Sequence, residues 1–190
     1  EFMIESCVGH IRDLPSNDLG VNVNNNFKPK YVVVSGKQKI VSTLKECMKS
    51  ADKLYLATDP DREGEAISWH VVQLLKPKIP VERLVFHEIT KTAIKNAFKN
   101  TRNIDLSLVK AQETRRILDR LFGFQVSEVL WSTLKSGLSA GRVQSPAIKL
   151  IVDREKQRAD FIDSEYWDIA GLFESDSKNF NAVLVTLQDK

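Results

Sequence analysis

Three acidic side chains at alternate positions, Asp59, Asp61 and Glu63, follow a short apolar segment that ends at Thr58. Because side chains two positions apart in extended backbone point to the same side, we predict that the three carboxylates converge. Carboxylates so close together repel one another unless a cation neutralises them. Hard oxygen ligands favour Mg²⁺, which usually takes one or two carboxylates together with a phosphate oxygen. The spacing therefore indicates a magnesium site, although a charged, solvated turn in front of a helix would have the same spacing.

A second group of candidate residues, Arg115, Arg116 and Asp119, lies in a segment whose apolar residues recur at helical spacing. Arg115 and Asp119 are four positions apart and share one face of such a helix. The planar guanidinium group binds phosphate or base edges through paired hydrogen bonds, so these arginines suit a nucleic acid. An ion pair on a solvated helix would explain the same residues and would contribute little to stability.

A third group, residues 139–144, combines small residues with Arg142 and Gln144. Small residues let the backbone approach a phosphate closely, and the start of a helix offers free N–H donors. Helix capping alone would explain Ser139 and Gly141, but it would not explain the whole string. The residue types of this segment therefore suit contact with a phosphate group.

Alternating strands and helices are predicted to position the acidic residues. This order is typical of an α/β unit with a mostly parallel sheet flanked by helices. The predicted strands are Tyr31–Val34, Leu54–Thr58 and Val85–Phe86, and the predicted helices are Lys37–Ala51, residues 64–75 and a helix from Lys91 with Thr90 as its N-cap.

The second half of the chain is predicted to be mainly helical and to end in a short β segment. We expect a helix capped by Asp105 that runs to about Phe122 and ends at Gly123, a short helix from Ser127, a long helix from Ser139, and strands at 166–173 and 182–187. The predicted domains are 1–102, 103–163 and 164–190.

The composition is that of an ordinary soluble protein, with 28 Lys and Arg against 25 Asp and Glu and a net charge of +3. Acidic residues gather at 59–65, whereas many arginines lie in the second half. The two cysteines, Cys7 and Cys47, form no CxxC pair and indicate neither a zinc site nor a disulfide framework. No apolar run reaches the roughly 18 residues that a membrane-spanning helix needs. We therefore expect a soluble, intracellular protein without a membrane partner.

Five strings in the chain resemble segments of the bacterial type IA DNA topoisomerases. The acidic string LYLATDPDREGEAISWH matches the Toprim segment of that family almost letter for letter, and LSAGRVQS is the second highly specific match. The five strings are LYLATDPDREGEAISWH at 54–70, SCVGHIRDLP at 6–15, HEITK at 87–91, AQETRRILDRLFGF at 111–124 and LSAGRVQS at 138–145. The likeness covers nearly the whole chain.

The resemblance implies a Toprim fold, Mg²⁺ held by Asp59, Asp61 and Glu63, and a partner that is DNA, chiefly in single-stranded segments. Phe124 stands where many members of the family have tyrosine. Phenylalanine keeps the ring that can stack on a base but lacks the tyrosine hydroxyl. Trp131 could also stack on a base, although packing in a core is an alternative. The implied DNA-binding residues are His10, Arg115, Arg116, Asp119, Phe124, Trp131, Ser139, Ala140, Gly141, Arg142, Val143 and Gln144.

The implied activity is cleavage of one DNA strand by a tyrosine, strand passage and religation, which relaxes negative supercoils without ATP. No phosphate loop of the GxxxxGK[ST] type occurs, in agreement with that expectation. Tyr31, Tyr55 and Tyr166 do not lie in the family's nucleophile motif, so we expect a fragment without the catalytic tyrosine and without the first Toprim strand. Glu1 and Phe2 are interpreted as a cloning remnant.

Three alternatives remain at this stage. One is a decatenating enzyme of the same family, and another is a non-catalytic module that binds single strands. The third is a Toprim nuclease or primase, which should lack the helical segments around Arg115 and Arg142.

Overall fold

The computed structural model describes residues 2–186 and divides into two compact units, residues 1–145 and 146–190. The elements in chain order are β1 (Arg12–Asp13), β2 (Val21–Asn22), β3 (Lys28–Pro29), β4 (Val32–Val33), α1 (Gln38–Lys49), β5 (Leu54–Leu56), α2 (Arg62–Leu75), β6 (Val81–Arg83), α3 (Lys91–Lys99), α4 (Leu106–Thr133), α5 (Gln144–Ala159), β7 (Ala170–Ser175) and β8 (Lys178–Val183). No helix of the described part is both long and apolar enough to cross a membrane.

The α/β class is confirmed, and its centre is a parallel pair of strands, β5 and β6, joined by α2. Leu54 lies opposite Val81, and Leu56 lies opposite Arg83. Ile11, Val41, Leu56, Val71 and Leu75 form the buried core around this pair. Among residues 2–186 the other strand pairs, β1 with β4, β2 with β3 and β7 with β8, are antiparallel. The parallel pair places the end of β5, and therefore the acidic residues that follow it, beside α2.

Several predicted boundaries in the first half differ from the structure. The strand predicted at Val85–Phe86 lies earlier, at Val81–Arg83, because those residues pair with β5. Helix α2 begins at Arg62 rather than at residue 64, since Asp61 caps it. The predicted N-cap of α3 is confirmed, with the Thr90 hydroxyl accepting the Ala93 N–H at 3.2 Å.

Gly123 was predicted to end a helix, and that prediction is wrong, because α4 is continuous from Leu106 to Thr133. A glycine in a helix interior costs about 1 kcal/mol relative to alanine, which is too little to end a helix with tertiary contacts. Ser127 does not start a helix either. It is buried within α4, and its hydroxyl accepts the Ala140 N–H at 3.0 Å.

The long helix predicted from Ser139 begins at Gln144 instead, and residues 138–143 are not helical. Their backbone is bound to α4, since the Trp131 ring N–H donates to the Leu138 carbonyl at 2.5 Å. The terminal strands lie at 170–175 and 178–183, not at 166–173 and 182–187. Residues 176 and 177 between them have positive φ, which is typical of a two-residue hairpin turn. Residue 187 lies outside the described residues.

Substitution of Asp105 by alanine is expected to lower the free energy of unfolding by about 1 kcal/mol, the usual cost of losing an N-cap. The Asp105 carboxylate accepts the N–H groups of Ser107 and Leu108, at 2.8 and 3.3 Å, and so begins α4. Urea unfolding followed by circular dichroism measures the change. Asp52→Ala is the control, because Asp52 is exposed and lies outside any helix. It should change the free energy of unfolding by less than half as much as Asp105→Ala does.

A candidate DNA-binding cleft beside an acidic turn

The acidic turn, residues 58–64, connects β5 to α2 and is bonded to the first turn of that helix. The Asp61 carboxylate accepts the Gly64 N–H at 2.7 Å, and the Thr58 hydroxyl donates to the Gly64 carbonyl at 2.6 Å. Asp59 and Asp61 are exposed, whereas Glu63 is partly buried in the first turn of α2. The turn therefore presents two aspartates to solvent, and hydrogen bonds to Gly64 hold its backbone against the first turn of α2.

Glu63 does not converge with Asp59 and Asp61 in the way predicted for extended backbone. Because α2 begins at Arg62, Glu63 follows the helical period and not the alternation of a strand. Residues 2–186 contain no group of three or more His, Cys, Asp and Glu side chains arranged to hold a metal ion.

Glu63 instead lies in a cleft of about 160 Å³ between the acidic turn, α4 and the segment around β1. Its carboxylate lies 3.4 Å from the His10 imidazole and accepts the Gln112 amide N–H at 3.1 Å. The Arg115 guanidinium is 4.0 Å away. One carboxylate thus meets three groups that can donate hydrogen bonds, two of them on α4.

Arg116 is held by Asp13, which lies on β1, 103 positions earlier. The guanidinium donates two parallel hydrogen bonds to the carboxylate, both of 2.7 Å. Burial opposes the charge on Asp13, but hydrogen bonds from Arg116 and the Leu14 N–H keep the pKa of Asp13 below its usual range. An acidic group therefore occupies the fork of the arginine that we predicted to contact DNA.

Asp119 connects Arg115 with Arg142. Arg142 donates to the Asp119 carboxylate at 2.5 and 3.3 Å, and the Arg115 Nε lies 3.8 Å from it. The hydrogen bond from Arg142 holds the pKa of Asp119 below its usual range. These bonds bring the two segments with predicted DNA-binding residues, 111–124 and 138–144, onto one surface.

The remaining predicted contact residues lie further along α4 and in the loop after it. Phe124 is exposed, and the Arg120 guanidinium lies 5.3 Å from its ring centre. Trp131 is also exposed, so it is not a core residue. The Gln144 amide donates to the Ser139 hydroxyl at 3.2 Å, Ala140 is bonded to Ser127, and Gly141 and Val143 flank Arg142.

An aromatic cluster closes one side of the cleft. The His70 ring lies 4.5 Å from the Tyr31 ring and 4.9 Å from the Trp69 ring. Burial and the nearby Arg12 guanidinium lower the pKa of His70 to about 4. The Tyr31 hydroxyl donates to Glu113 at 3.1 Å, and burial together with Glu113 raises its pKa, so this hydroxyl stays protonated.

Two family models match the chain in succession. The model described as Toprim domain matches residues 1–89, and the model described as DNA topoisomerase matches residues 103–190. The DNA topoisomerase 1 of Synechococcus elongatus is 50% identical over 98% of this chain. The DNA topoisomerase 1 of Mycolicibacterium smegmatis is 53% identical over 88% of it. This chain belongs to the type IA DNA topoisomerases.

The likeness to a solved member of this topoisomerase family extends to the fold. The structure of full-length topoisomerase I from Thermotoga maritima aligns with a TM-score of 0.69 and 44% sequence identity, over 88% of this chain. The chain spans 23% and 19% of the lengths of the two curated relatives and 28% of the solved one. The two family matches meet in the cleft, because Glu63 belongs to the Toprim match and Gln112 and Arg115 to the topoisomerase match.

The exposed turn suits a hard divalent cation in the chemistry of its donors. Asp59 and Asp61 provide two carboxylate groups, and Mg²⁺ typically takes one or two carboxylates from a protein. Asp61 uses one oxygen for its cap bond, and a carboxylate has further acceptor positions. Glu63 is engaged by the cleft residues, so the fit is best for the two aspartates.

Several cleft residues had no individual signal in the sequence. Asp13 and Gln112 lie within strings that resemble the family, but only the structure shows that they bind Arg116 and Glu63. Gln112 is only 6% exposed, but the sequence around it does not distinguish it from a surface glutamine. Arg12 and Tyr31 enter the cleft because β1 pairs with β4.

Proposed function

We propose that this chain is the part of an ATP-independent type IA topoisomerase that binds a single-stranded DNA segment and holds its scissile phosphate beside a divalent cation. The observation that carries the proposal is the cleft itself. There, Glu63 of the acidic turn lies within 4.0 Å of Arg115 of α4, and Arg142 donates to Asp119, which also pairs with Arg115. Arg116 lines the same cleft. Asp59 and Asp61 would hold the cation, which we propose is Mg²⁺.

In the whole enzyme, a tyrosine oxygen would attack the phosphorus of one phosphodiester and break its bond to the adjoining DNA oxygen. The phosphotyrosine ester keeps the energy of the broken bond, so the DNA hydroxyl can reverse the step without ATP. Bound Mg²⁺ would neutralise charge that develops on the phosphate. We propose that the whole protein relaxes negative supercoils in this way, as a monomer in the bacterial cytoplasm.

The arginines of the cleft would bind the strand by exchanging a carboxylate partner for a phosphate group of the DNA. Asp13 and Asp119 each accept from an arginine, and a phosphate offers the same bidentate geometry. His10 and Gln112 would keep Glu63 in place beside the phosphate. The exposed rings of Phe124 and Trp131 would stack on unpaired bases.

Alanine at Arg115 or Arg142 is expected to raise the Kd for a fluorescent single-stranded oligonucleotide about tenfold, or about 1.4 kcal/mol. Each arginine would lose a charged hydrogen bond to phosphate, and one phosphate contact accounts for about 0.7 of the slope of log K against log salt. Fluorescence anisotropy over a salt titration measures both quantities. A double-stranded oligonucleotide of the same sequence tests the preference for single strands.

Arg158→Ala is the matched control, because Arg158 is 79% exposed in α5 and pairs with Glu155. It should change the Kd less than twofold. Equal losses in the three variants would mean that the chain binds DNA through charge alone and not through the cleft.

A further inference from the structure

A cluster of charged residues, Glu65, Arg83 and Arg102, lies beside the acidic turn and outside the cleft. The side chains of Glu65 and Arg83 are fully buried, and the Arg83 Nε donates to the Glu65 carboxylate at 2.9 Å. Removing two charges from water has a large desolvation cost, so a buried pair is not in itself a reason for stability. The hydrogen bonds that these residues make to neighbouring backbone therefore indicate their role better than the ion pair does.

Arg83 uses the rest of its guanidinium to bind backbone around the acidic turn. It donates to the Leu56 carbonyl at 2.8 Å, at the end of β5, and to the Asp59 carbonyl at 2.6 Å. A third bond, of 2.9 Å, goes to the Leu84 carbonyl. The backbone of Asp59 is thus bonded directly to a side chain that is fully buried and bound by three further hydrogen bonds.

Glu65 makes the corresponding connection to α4. Its second carboxylate oxygen accepts the backbone N–H of Asp105 at 3.0 Å, and Asp105 is the N-cap of α4. Arg102 donates to Glu65 as well, and its backbone exchanges two hydrogen bonds with that of Arg83, at 2.8 and 3.2 Å. Burial opposes the charge of Glu65, but the bonds from Arg102 and Asp105 keep its pKa below the usual range.

We propose that Glu65 and Arg83 are positioning residues that fix the acidic turn and the start of α4 relative to each other. Through these bonds they set the separation between the Asp59 and Asp61 carboxylates and the arginines of α4. The positioning of the acidic turn relative to α4 follows from these contacts alone, whereas its consequence for metal and DNA binding rests on the proposed function.

The direct test is the distribution of distances between two spin labels on the 190-residue chain. Both labelled positions are exposed: Arg62→Cys lies in the acidic turn at the start of α2, and Lys110→Cys lies on α4. Cys7 and Cys47 are replaced by alanine. The unaltered cluster should give one narrow distribution. Glu65→Gln should broaden it, because an amide cannot accept from both Arg83 and Asp105, and Arg83→Lys should broaden it, because one ammonium group cannot reach four acceptors.

Glu82→Gln is the matched control, since Glu82 is the neighbour of Arg83 on β6 and its pair with Lys53 is about one third exposed. Circular dichroism establishes that each variant is folded. If Glu65→Gln does not fold, Arg83→Lys and Arg102→Gln carry the test, and Arg102 is 38% exposed. A distribution as narrow as that of Glu82→Gln in the folded variants would overturn the inference.

A second measurement separates this inference from the proposed function. In Glu65→Gln and Arg83→Lys, the Mg²⁺ concentration that half-saturates the effect on oligonucleotide binding should rise about tenfold, as loss of a supporting residue typically does. Broad distances in the variants together with no Mg²⁺ effect in the unaltered chain would refute the proposed function and support the positioning role. An unchanged Mg²⁺ response together with unchanged distances would refute the positioning role alone.

Discussion

Replacement of Gly64 by alanine is expected to lower the free energy of unfolding by about 3 kcal/mol, the upper end of the usual cost of overpacking. A Cβ at this position would overlap the Asp59 carbonyl oxygen and lie 2.8 Å from the carbon and the nitrogen of Asp59. These are backbone atoms that cannot rotate away, and Arg83 holds the same carbonyl. The first turn of α2 and the acidic turn would have to separate, which also displaces Asp61 from its cap position.

Gly123→Ala is the matched control for this prediction, because both glycines lie in helices. Around Gly123 the nearest atom to an added Cβ is the Ala140 carbonyl oxygen, at 3.7 Å, which is ordinary contact. Alanine there should stabilise the protein by up to about 1 kcal/mol, since it favours the helix. Urea unfolding of both variants measures the two effects, and a neutral Gly64→Ala would show that the turn is not packed as described.

The stability of the protein is expected to fall by about 3 kcal/mol between pH 6.5 and pH 4 because of His70 alone. His70 is 3% exposed, and its Nδ1 has no hydrogen-bond partner in the described part of the chain. Burial and the Arg12 guanidinium lower its pKa from 6.5 to about 4. In this window the unfolded state binds a proton that the folded state does not, so stability falls as the pH falls, by about 1.4 kcal/mol per unit.

His70→Phe should remove this part of the pH dependence, since phenylalanine keeps the ring among Tyr31 and Trp69 and cannot titrate. The measurement is the free energy of unfolding in urea at several values between pH 7 and pH 4. His87→Phe, at an exposed histidine, should leave the slope unchanged. Equal slopes in the unaltered protein and in His70→Phe would mean that folding does not lower the pKa of His70.

Asp13, Glu65 and Asp119 add a separate acid sensitivity at lower pH. Their pKa values are depressed in the fold, so the stability they contribute is present above their unfolded values and is lost as they protonate. This loss falls mainly below the window in which His70 acts.

Features that depend on neighbouring residues could be predicted from the sequence. The cap bonds of Thr90 and Asp105 span two or three positions, and both occur as predicted. The acidic string at the end of a strand and the helical spacing around Arg115 are equally local. The alternation argument for Glu63 was wrong because the same string also caps a helix, and the helix begins two residues earlier than predicted.

The partners of the charged side chains could not be predicted, because they depend on which distant segments meet. Asp13 and Arg116 are 103 positions apart, and Glu63 and Gln112 are 49 apart. Glu65 and Arg83 look like surface charges in the sequence, yet both are fully buried. The sequence does not show whether a charged residue is buried. Only the packing of α2 against α4 and the bond from Arg83 of β6 to Glu65 of α2 decide whether water or another side chain satisfies these groups.

The sequence by itself therefore determined which residues can do chemistry here and which local elements carry them. The tertiary structure alone decided that Glu63 lies beside Arg115 of α4 and that Arg116 and Arg142 are bound by carboxylates. It also decided that buried Glu65 and Arg83 connect the acidic turn to α4. The physical reason is the separation along the chain over which each kind of interaction is satisfied. Caps and turns are satisfied within a few residues, whereas ion pairs and buried hydrogen bonds are satisfied only after the chain has brought remote segments together.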